Sequence, residues 1–363
     1  MEPLGESVMR TPHNGAVVQR RSKTRSYRRS YRSCLGTTSR LCLTPALTTR
    51  RLNASRRAVK PQTLTERVDP AHLALLVKSE WQLSYVTPLY QFRHTQLKSY
   101  SKQLSAFIVA ERQQGLAVEV SELQNSYRVS LSVLQGLTES ENDPETVLIQ
   151  IHSKPLFAKQ DEPQRSVWSG WLTCIQGSPE YLCSLSKDFT CLPLFGSRGP
   201  EYLSRVVKSW FQKTFDCCFG PLEINHTSLQ WFVALWVDCH SQSNIQHLKM
   251  LWTVPAEPPL QIMYTVDPQD AWDLWNSVKK EEAAKEAEEV GCIELEEVSG
   301  YLEALKSHFY RHFRLDLSAG ILTQVSTALG LAKDTGRIKM SNSRHVIATL
   351  TLLTECALLK MPI

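Results

Sequence analysis

Residues 87–120 read TPLYQFRHTQLKSYSKQLSAFIVAERQQGLAVEV, and this is the most sharply specified stretch of the chain. Its pattern predicts a short strand over Leu89 to Phe92, a helix from about His94 to Gln114, a stop at Gly115 and a second strand over Leu116 to Val120. Within the helix Leu97, Tyr100, Leu104, Phe107 and Ile108 recur at three- and four-residue intervals, which gathers them on one buried face. Across from that stripe His94, Lys98, Lys102 and Arg112 draw a thin basic line. Gly115 stands where a left-handed residue commonly closes a helix. The stretch is a strand–helix–strand piece of a globular core, and it contains no constellation suited to catalysis.

Working outward, Asp69-Pro70 is a helix start, with the carboxylate as cap and proline in the first turn. Leu73, Leu76, Val77 and Trp81 follow at helical spacing. After the central stretch come three extended runs, Tyr127 to Leu134, Thr146 to His152 and Val167 to Ile175. In the first, Val129, Leu131 and Val133 alternate with Arg128, Ser130 and Ser132, the pattern of a half-exposed antiparallel strand. A loop with Gly196, Gly199 and Pro200 marks a candidate domain boundary. Beyond it a helix over Ser204 to Phe215 buries Val206, Val207, Trp210, Phe211 and Phe215. Leu229 to Val237 fits either a buried helix or a buried strand. Leu248 to Val254, Leu260 to Val266, Leu322 to Ala328 and Arg337 to Ser341 read as strands, and Asp267-Pro268 and Val298 to Phe313 as helix signals. The apolar C-terminus, His345 to Leu359, alternates like a strand yet also fits a helix. These elements give an α+β fold of mainly antiparallel sheets with helices packed on their faces. It divides into a basic tail (residues 1–64), an N-terminal half (65–198) and a C-terminal half (199–363).

Charge separates the tail from the body. Residues 1–60 hold 14 Lys and Arg against 2 Glu, whereas the remaining residues hold 27 basic against 34 acidic groups. With no Phe or Trp and no sustained periodicity, the tail buries too little apolar surface to offset its ordering entropy and is expected to be disordered. Its paired arginines, Arg20-Arg21, Arg28-Arg29, Arg50-Arg51 and Arg56-Arg57, suit nuclear import or phosphate contact. A second charge run, Lys279 to Glu297, holds eight Glu and three Lys and reads as an exposed helix or insertion. Ten cysteines are spread without a C-x-x-C pair and read as mostly reduced and buried. No apolar run approaches the ~20 residues of a membrane helix, and the N-terminus shows no secretory core.

Enzyme signatures are weak when each is set against its structural alternative. His308 and His312 have the spacing of two zinc ligands, but Phe309 stands where a metalloprotease needs its glutamate, so they read as flanks of a packed helix. No nucleophile elbow, P-loop or dinucleotide fingerprint is present. Neither a cofactor nor a small-molecule substrate is indicated. Nine tryptophans are many for 363 residues, and five of them, Trp231, Trp236, Trp252, Trp272 and Trp275, crowd together. Their default role is core, with a partner interface as the alternative.

Five stretches carry a resemblance: residues 87–120 quoted above, KDFTCLPLF at 187–195, WFQKTFDCCFGPLEIN at 210–225, LWTVP at 251–255 and SHFYRHFRLDLS at 307–318. Together they resemble the centromere protein L family, over essentially all of the chain from Val68 onward. The resemblance implies a non-enzymatic α+β subunit of the constitutive inner kinetochore assembly, located in the nucleus at the centromere. It also implies a heterodimer with centromere protein N, docking onto centromere protein C and the H-I-K-M subcomplex, and a grip on centromeric nucleosomal DNA. It assigns no interface residues. From the residues themselves, Val346, Leu350, Leu352 and Leu358 are the candidate partner interface, extending a sheet edge. Arg20, Arg21, Arg28, Arg29, Arg50, Arg51, Arg56, Arg57, Lys98, Lys102 and Arg112 are the candidate nucleic-acid contacts. The alternative is an independent nucleic-acid binder acting through the tail and the Lys/Arg face.

Overall fold

The computed structural model describes residues 56–57, 70–77, 79–114, 127–138, 143–153, 165–238, 247–279 and 292–361. Strands β1 to β9 are Arg56–Arg57, Glu80–Val86, Leu89–Tyr90, Arg128–Leu134, Thr146–Ser153, Arg165–Thr173, Phe189–Thr190, Leu194–Arg198 and Phe219–Pro221. Strands β10 to β15 are Leu248–Val254, Leu260–Val266, Cys292–Ile293, Ile321–Ser326, Gly330–Lys333 and Arg337–Met340. The helices are α1 (Pro70–Val77), α2 (Leu97–Gln114), α3 (Pro179–Ser184), α4 (Glu201–Phe215), α5 (His226–Asp238), α6 (Pro268–Val278), α7 (Leu295–Phe313) and α8 (Val346–Lys360).

Ten strands form one path, β11-β10-β13-β14-β15-β2-β8-β6-β5-β4, with β9 added beside β2, and every pairing in it is antiparallel. The expected α+β architecture is therefore observed. The middle strand is β2, whose residues pair with β15 from the C-terminal half on one side and β8 from the N-terminal half on the other. Gly196, expected in a loop, is a residue of β8 paired with Leu83 and Trp171, so only Gly199 and Pro200 lie at the β8–α4 junction, and the sheet continues across it. Trp81 is not part of a helical stripe; it is a fully buried residue of β2. Its indole N–H donates to the carbonyl of Leu76 at the end of α1 (3.0 Å), so the helix hands directly over to the strand.

Side-chain alternation gives the sheet two different faces. On one, Trp81 and Leu83 of β2, Leu148 of β5, Trp171 of β6 and the inner residues of β10, β13, β14 and β15 meet α1, α5, α6, α7 and α8 in one core. On the other, α2 and α4 cover β4, β5, β6 and β8 in a second core that includes Val129, Ile149, Trp168 and Phe195. The predicted stripe of α2 is buried at Leu97, Tyr100, Leu104 and Ile108, while Phe107 is half-buried under the ammonium of Lys213 (4.9 Å). In α4, Val206 is only half-buried and Leu203 takes the core position. Gly196 of β8 lies directly beneath the Trp171 ring, where any Cβ would run into the indole.

The undecided segments resolve as helices. Leu229 to Val237 belongs to α5 and is buried on every side. Helix α8 is equally apolar all round, the composition of a helix enclosed by protein. Two of its hydroxyls are hydrogen-bonded within the core: the Trp236 indole donates to Thr349 (3.2 Å), and the Ile175 amide donates to Thr354 (3.3 Å). Asp267 caps α6 as expected, accepting from the Gln269 amide (2.9 Å). Strand β3 is shorter than expected and pairs with β7 rather than with a strand following α2. The expected strand over Leu116 to Val120, the tail apart from Arg56–Arg57, and most of the Lys279–Glu297 run lie outside the described residues. The backbone of Arg56–Arg57 pairs with Ile293 and Cys292 in a separate two-residue ladder.

Because α8 is a keystone between α5 and strands β2 and β8, substitutions in it act on the whole fold. Leu353→Ala is expected to cost about 2–5 kcal/mol, as buried Leu truncations do. Leu352→Asp, which buries an unpaired carboxylate, is expected to abolish the cooperative thermal transition and leave the chain insoluble. A Leu352→Asp protein that melts like the parent would contradict this placement.

Candidate partner and nucleic-acid interface

An open sheet has two edge strands, here β4 and β11, and unpaired backbone at an edge invites another chain unless something blocks it. The two ends differ. At β4, helix α2 runs along the edge and its serines replace a neighbouring strand. Ser105 donates its hydroxyl to the Tyr127 carbonyl (3.1 Å), and the Leu131 amide donates to Ser101 (2.9 Å). At β11 the described residues supply no second strand. All seven residues pair in continuous register with β10, so the strand is regular and straight enough to template another.

The surroundings of β11 are apolar on both faces. Met263 and Leu260 of the strand itself are 55% and 50% exposed. Below it, Phe309 of α7 packs edge-on against Tyr264 (4.8 Å), which brings the end of α7 under the strand. That end carries Tyr310, Phe313 and Leu315, all at least half exposed, and Ile321 opens the nearby β13. Six of the ten exposed large apolar side chains among the described residues therefore lie on β11, β13 and the end of α7. Exposure of this kind, concentrated beside a free edge, marks an interaction site.

The histidines four residues apart lie in this region and serve packing. His308 Nδ1 accepts from the Tyr264 hydroxyl (2.6 Å), while its Nε2 faces Asp270 at 3.8 Å. Burial, with Asp270 nearby, pushes the Tyr264 pKa up to about 12, so that hydroxyl keeps its proton. Burial and the neighbouring His312 hold His308 below the usual histidine range. Among the described residues no three His, Cys, Asp or Glu groups are placed to hold a metal ion.

The second surface is the sheet face that α2 and α4 leave bare. Ser84 and Gln82 of β2 share the α4 side, since Lys208 of α4 donates to the Ser84 hydroxyl (2.9 Å). Following register outward from Gln82, one row crosses Arg337, Lys333, Gln324, Leu251 and Met263. The next row crosses Glu80, Lys339, Leu331, Ser326, Lys249 and Thr265. Four cations, Lys249, Lys333, Arg337 and Lys339, thus share one face with a single carboxylate, Glu80, which sits 3.3 Å from Lys333. Lys208, midway along α4 beside this face, donates to the Ser84 hydroxyl and lies over the Phe195 and Phe219 rings, and burial lowers its pKa while Glu201 acts the other way.

The residues singled out from sequence fall elsewhere. Val346, Leu350, Leu352 and Leu358 are all buried on α8. Lys98, Lys102 and Arg112 are exposed on α2, with Arg112 stacked 5.9 Å from the Tyr127 ring. Arg20, Arg21, Arg28, Arg29, Arg50 and Arg51 lie outside the described residues, as do the side chains of Arg56 and Arg57. Sequence did hold a signal for the β11 site: in LQIMYTV, Met263 is the apolar residue on the side otherwise occupied by Gln261 and Thr265. No described helix is long and apolar enough to cross a membrane.

Comparison with known proteins gives one consistent result. The profile of the centromere protein L family matches residues 75–358. The chain is 51% identical over 363 residues to centromere protein L of Danio rerio, covering all of this chain and 95% of that protein. It is 41% identical over 299 residues to centromere protein L of Homo sapiens and of Gallus gallus, covering 82% of this chain and 84% of each.

Histidine protonation should weaken this end of the fold. His226 of α5 accepts the Leu322 amide of β13 at Nδ1 (2.8 Å), and burial and Lys306 hold its pKa below the usual value. A histidine with a depressed folded pKa contributes stability that is complete above the unfolded value of about 6.5 and is lost as pH falls below it. Thermal midpoints should therefore drop between about pH 7 and pH 5, and His226→Gln should flatten that drop. A midpoint that rises on acidification, or an unchanged slope in His226→Gln, would count against the assignment.

Proposed function

The chain belongs to the centromere protein L family, and on that premise we propose that it is a non-enzymatic structural subunit of the inner kinetochore. In this reading it forms a heterodimer with centromere protein N and contributes, with centromere protein C and the H-I-K-M subcomplex, to kinetochore assembly on centromeric nucleosomes. The observation that carries the pairing is the free β11 edge flanked by Met263 above and Phe313 below. A strand added to β11 would form main-chain hydrogen bonds along all seven residues, while its side chains covered both apolar flanks. The role proposed for Leu350 and Leu352 thereby becomes indirect: they hold the body that presents the edge.

The bare basic face supports a contribution to DNA affinity. Lys249, Lys333, Arg337 and Lys339 are spaced along two strand rows on an open surface, which suits sequence-independent contact with phosphates. The basic tail adds to the same charge.

Co-expression of the full chain with centromere protein N, followed by size-exclusion chromatography with light scattering, tests the pairing. A stoichiometric heterodimer is expected. Met263→Asp and Phe313→Asp, both at exposed positions, should leave the fold intact and weaken pairing by about tenfold or more each. A monomer that ignores the partner, or a heterodimer indifferent to both changes, would sink the reading. For DNA, Arg337→Glu with Lys339→Glu should reduce the dependence of log affinity on log salt by roughly one for each phosphate that is no longer neutralised. Full DNA affinity retained by a chain lacking any partner would instead favour an independent nucleic-acid binder.

A further inference from the structure

The opposite end of the sheet carries a different surface. Between the outer side of α2 and the β4 edge runs a groove of about 640 Å³, within the size range of ligand sites. Its floor is small and apolar, made by Ala106, Val109 and Ala110 of α2. Lys102 stands on one side and Arg128 on the other, with Tyr127 between the helix and the strand. Val109 is 42% exposed although it sits on a helix whose opposite face is fully packed. The Tyr127 hydroxyl bonds to the Tyr202 hydroxyl (2.8 Å), which fixes the tyrosine as a wall of the groove.

Among the described residues that line the groove, charge is one-signed. None of the residues lining the groove carries a carboxylate. Lys98 lies one turn before Lys102 on the same side of α2, and Arg112 stacks over the Tyr127 ring (5.9 Å). The nearest acid of the helix, Glu111, turns away to Lys213 of α4 (3.4 Å). An apolar floor between cationic walls rejects a bare cation and gives an uncharged helix nothing to neutralise the walls. A nucleic acid would match the charge, but its sugar–phosphate backbone would leave Ala106, Val109 and Ala110 facing polar groups. A peptide meets both demands, with an apolar side chain for the floor and carboxylates for Lys102 and Arg128.

We propose that the α2–β4 groove is a docking site for an extended acidic peptide segment of a partner protein. An apolar residue would seat over Ala106, Val109 and Ala110, with aspartate or glutamate on either side of it pairing with Lys102 and Arg128. The site is distinct from the β11 edge and does not depend on it.

The test pans a phage-displayed library of random dodecapeptides against the full-length chain, then measures the enriched peptides by fluorescence anisotropy. The expected result is a set that combines acidic with apolar residues. Affinity should fall about tenfold or more in Lys102→Glu with Arg128→Glu. Ala106→Glu, an exposed helical change that fills the floor with charge, should have the same effect by a different route, and circular dichroism would verify that both variants fold. Met263→Asp should leave peptide binding unchanged, which separates this site from the proposed pairing edge. Four outcomes overturn the proposal: no enrichment, enriched peptides without acidic residues, binding indifferent to the groove variants, or an all-glutamate peptide binding as well as the selected set. Displacement of the selected peptides by duplex DNA at equal affinity would also overturn it, and would reassign the groove to nucleic acid.

Discussion

Everything in this molecule hangs on β2, seven residues hydrogen-bonded to β8 on one side and to β15 and then β9 on the other. Arg337 donates to Gln82 across a sequence separation of 255 residues (3.3 Å), so the two halves of the chain are closed into one sheet at this strand. Such long-range pairing carries a loop-closure cost before any contact repays it. What offsets that cost is the packing gathered beneath β2. Trp81 meets Trp171 edge to face (5.8 Å), and α8 lies across β2 and β8 as the layer that encloses both. The last helix in sequence is thereby the one that seals the first long strand. Neither half has a finished core without the other.

That dependence explains what was and was not legible in the sequence. The α2 stripe, β4, β10 and β11 follow from local periodicity, whereas β5 and β6, buried on both faces, follow from their β-branched and aromatic content. Strand β2 does not. Its Trp81 falls at helical spacing from Leu76 and Val77, and the period-2 pattern of EWQLSYV is only seven residues long. Helix α8 is hidden by the opposite problem: buried on all sides, it has no polar face to reveal its period, and β-branched residues mimic a strand. The burial of Val346, Leu350, Leu352 and Leu358 was hidden for the same reason. An intensely apolar segment such as Val346 to Leu358 can equally be a sticky surface or the centre of a core, and only the fold distinguishes them. The useful signal was smaller, a single Met263 on the polar side of an otherwise ordinary strand.

The sheet's asymmetry then gives each surface its chemistry. Among the described residues, α1, α5, α6, α7 and α8 pack on one face, while α2 and α4 cover β4, β5, β6 and β8 on the other. The exposed remainder needs residues that tolerate water, and the lysines and arginine of β10, β14 and β15 satisfy that need while building a one-signed field. Lys208, beside this face, has its pKa lowered by burial, with Glu201 acting in the opposite direction. A stable isolated protein gains nothing from such an arrangement. A chain that meets polyanions or acidic partners does.

The two ends of the sheet are built differently, as a scaffold requires. From β4 to β11 the path takes nine inter-strand steps, which at ~4.8 Å each places the edges roughly 40 Å apart. At one edge, serine hydroxyls from α2 occupy backbone groups of β4, so a ligand there meets side chains rather than a strand template. At the other, β11 pairs with β10 in continuous register, and the described residues place no further strand beside it. Different chemistry at each end means that neither site competes for the other's ligand. The distance means that occupying one leaves the other open, while the hydrogen-bonded strands between them hold the spacing rigid. Binding a strand at one end, an acidic segment at the other and phosphates on the face between needs no moving part, only a sheet that stays whole.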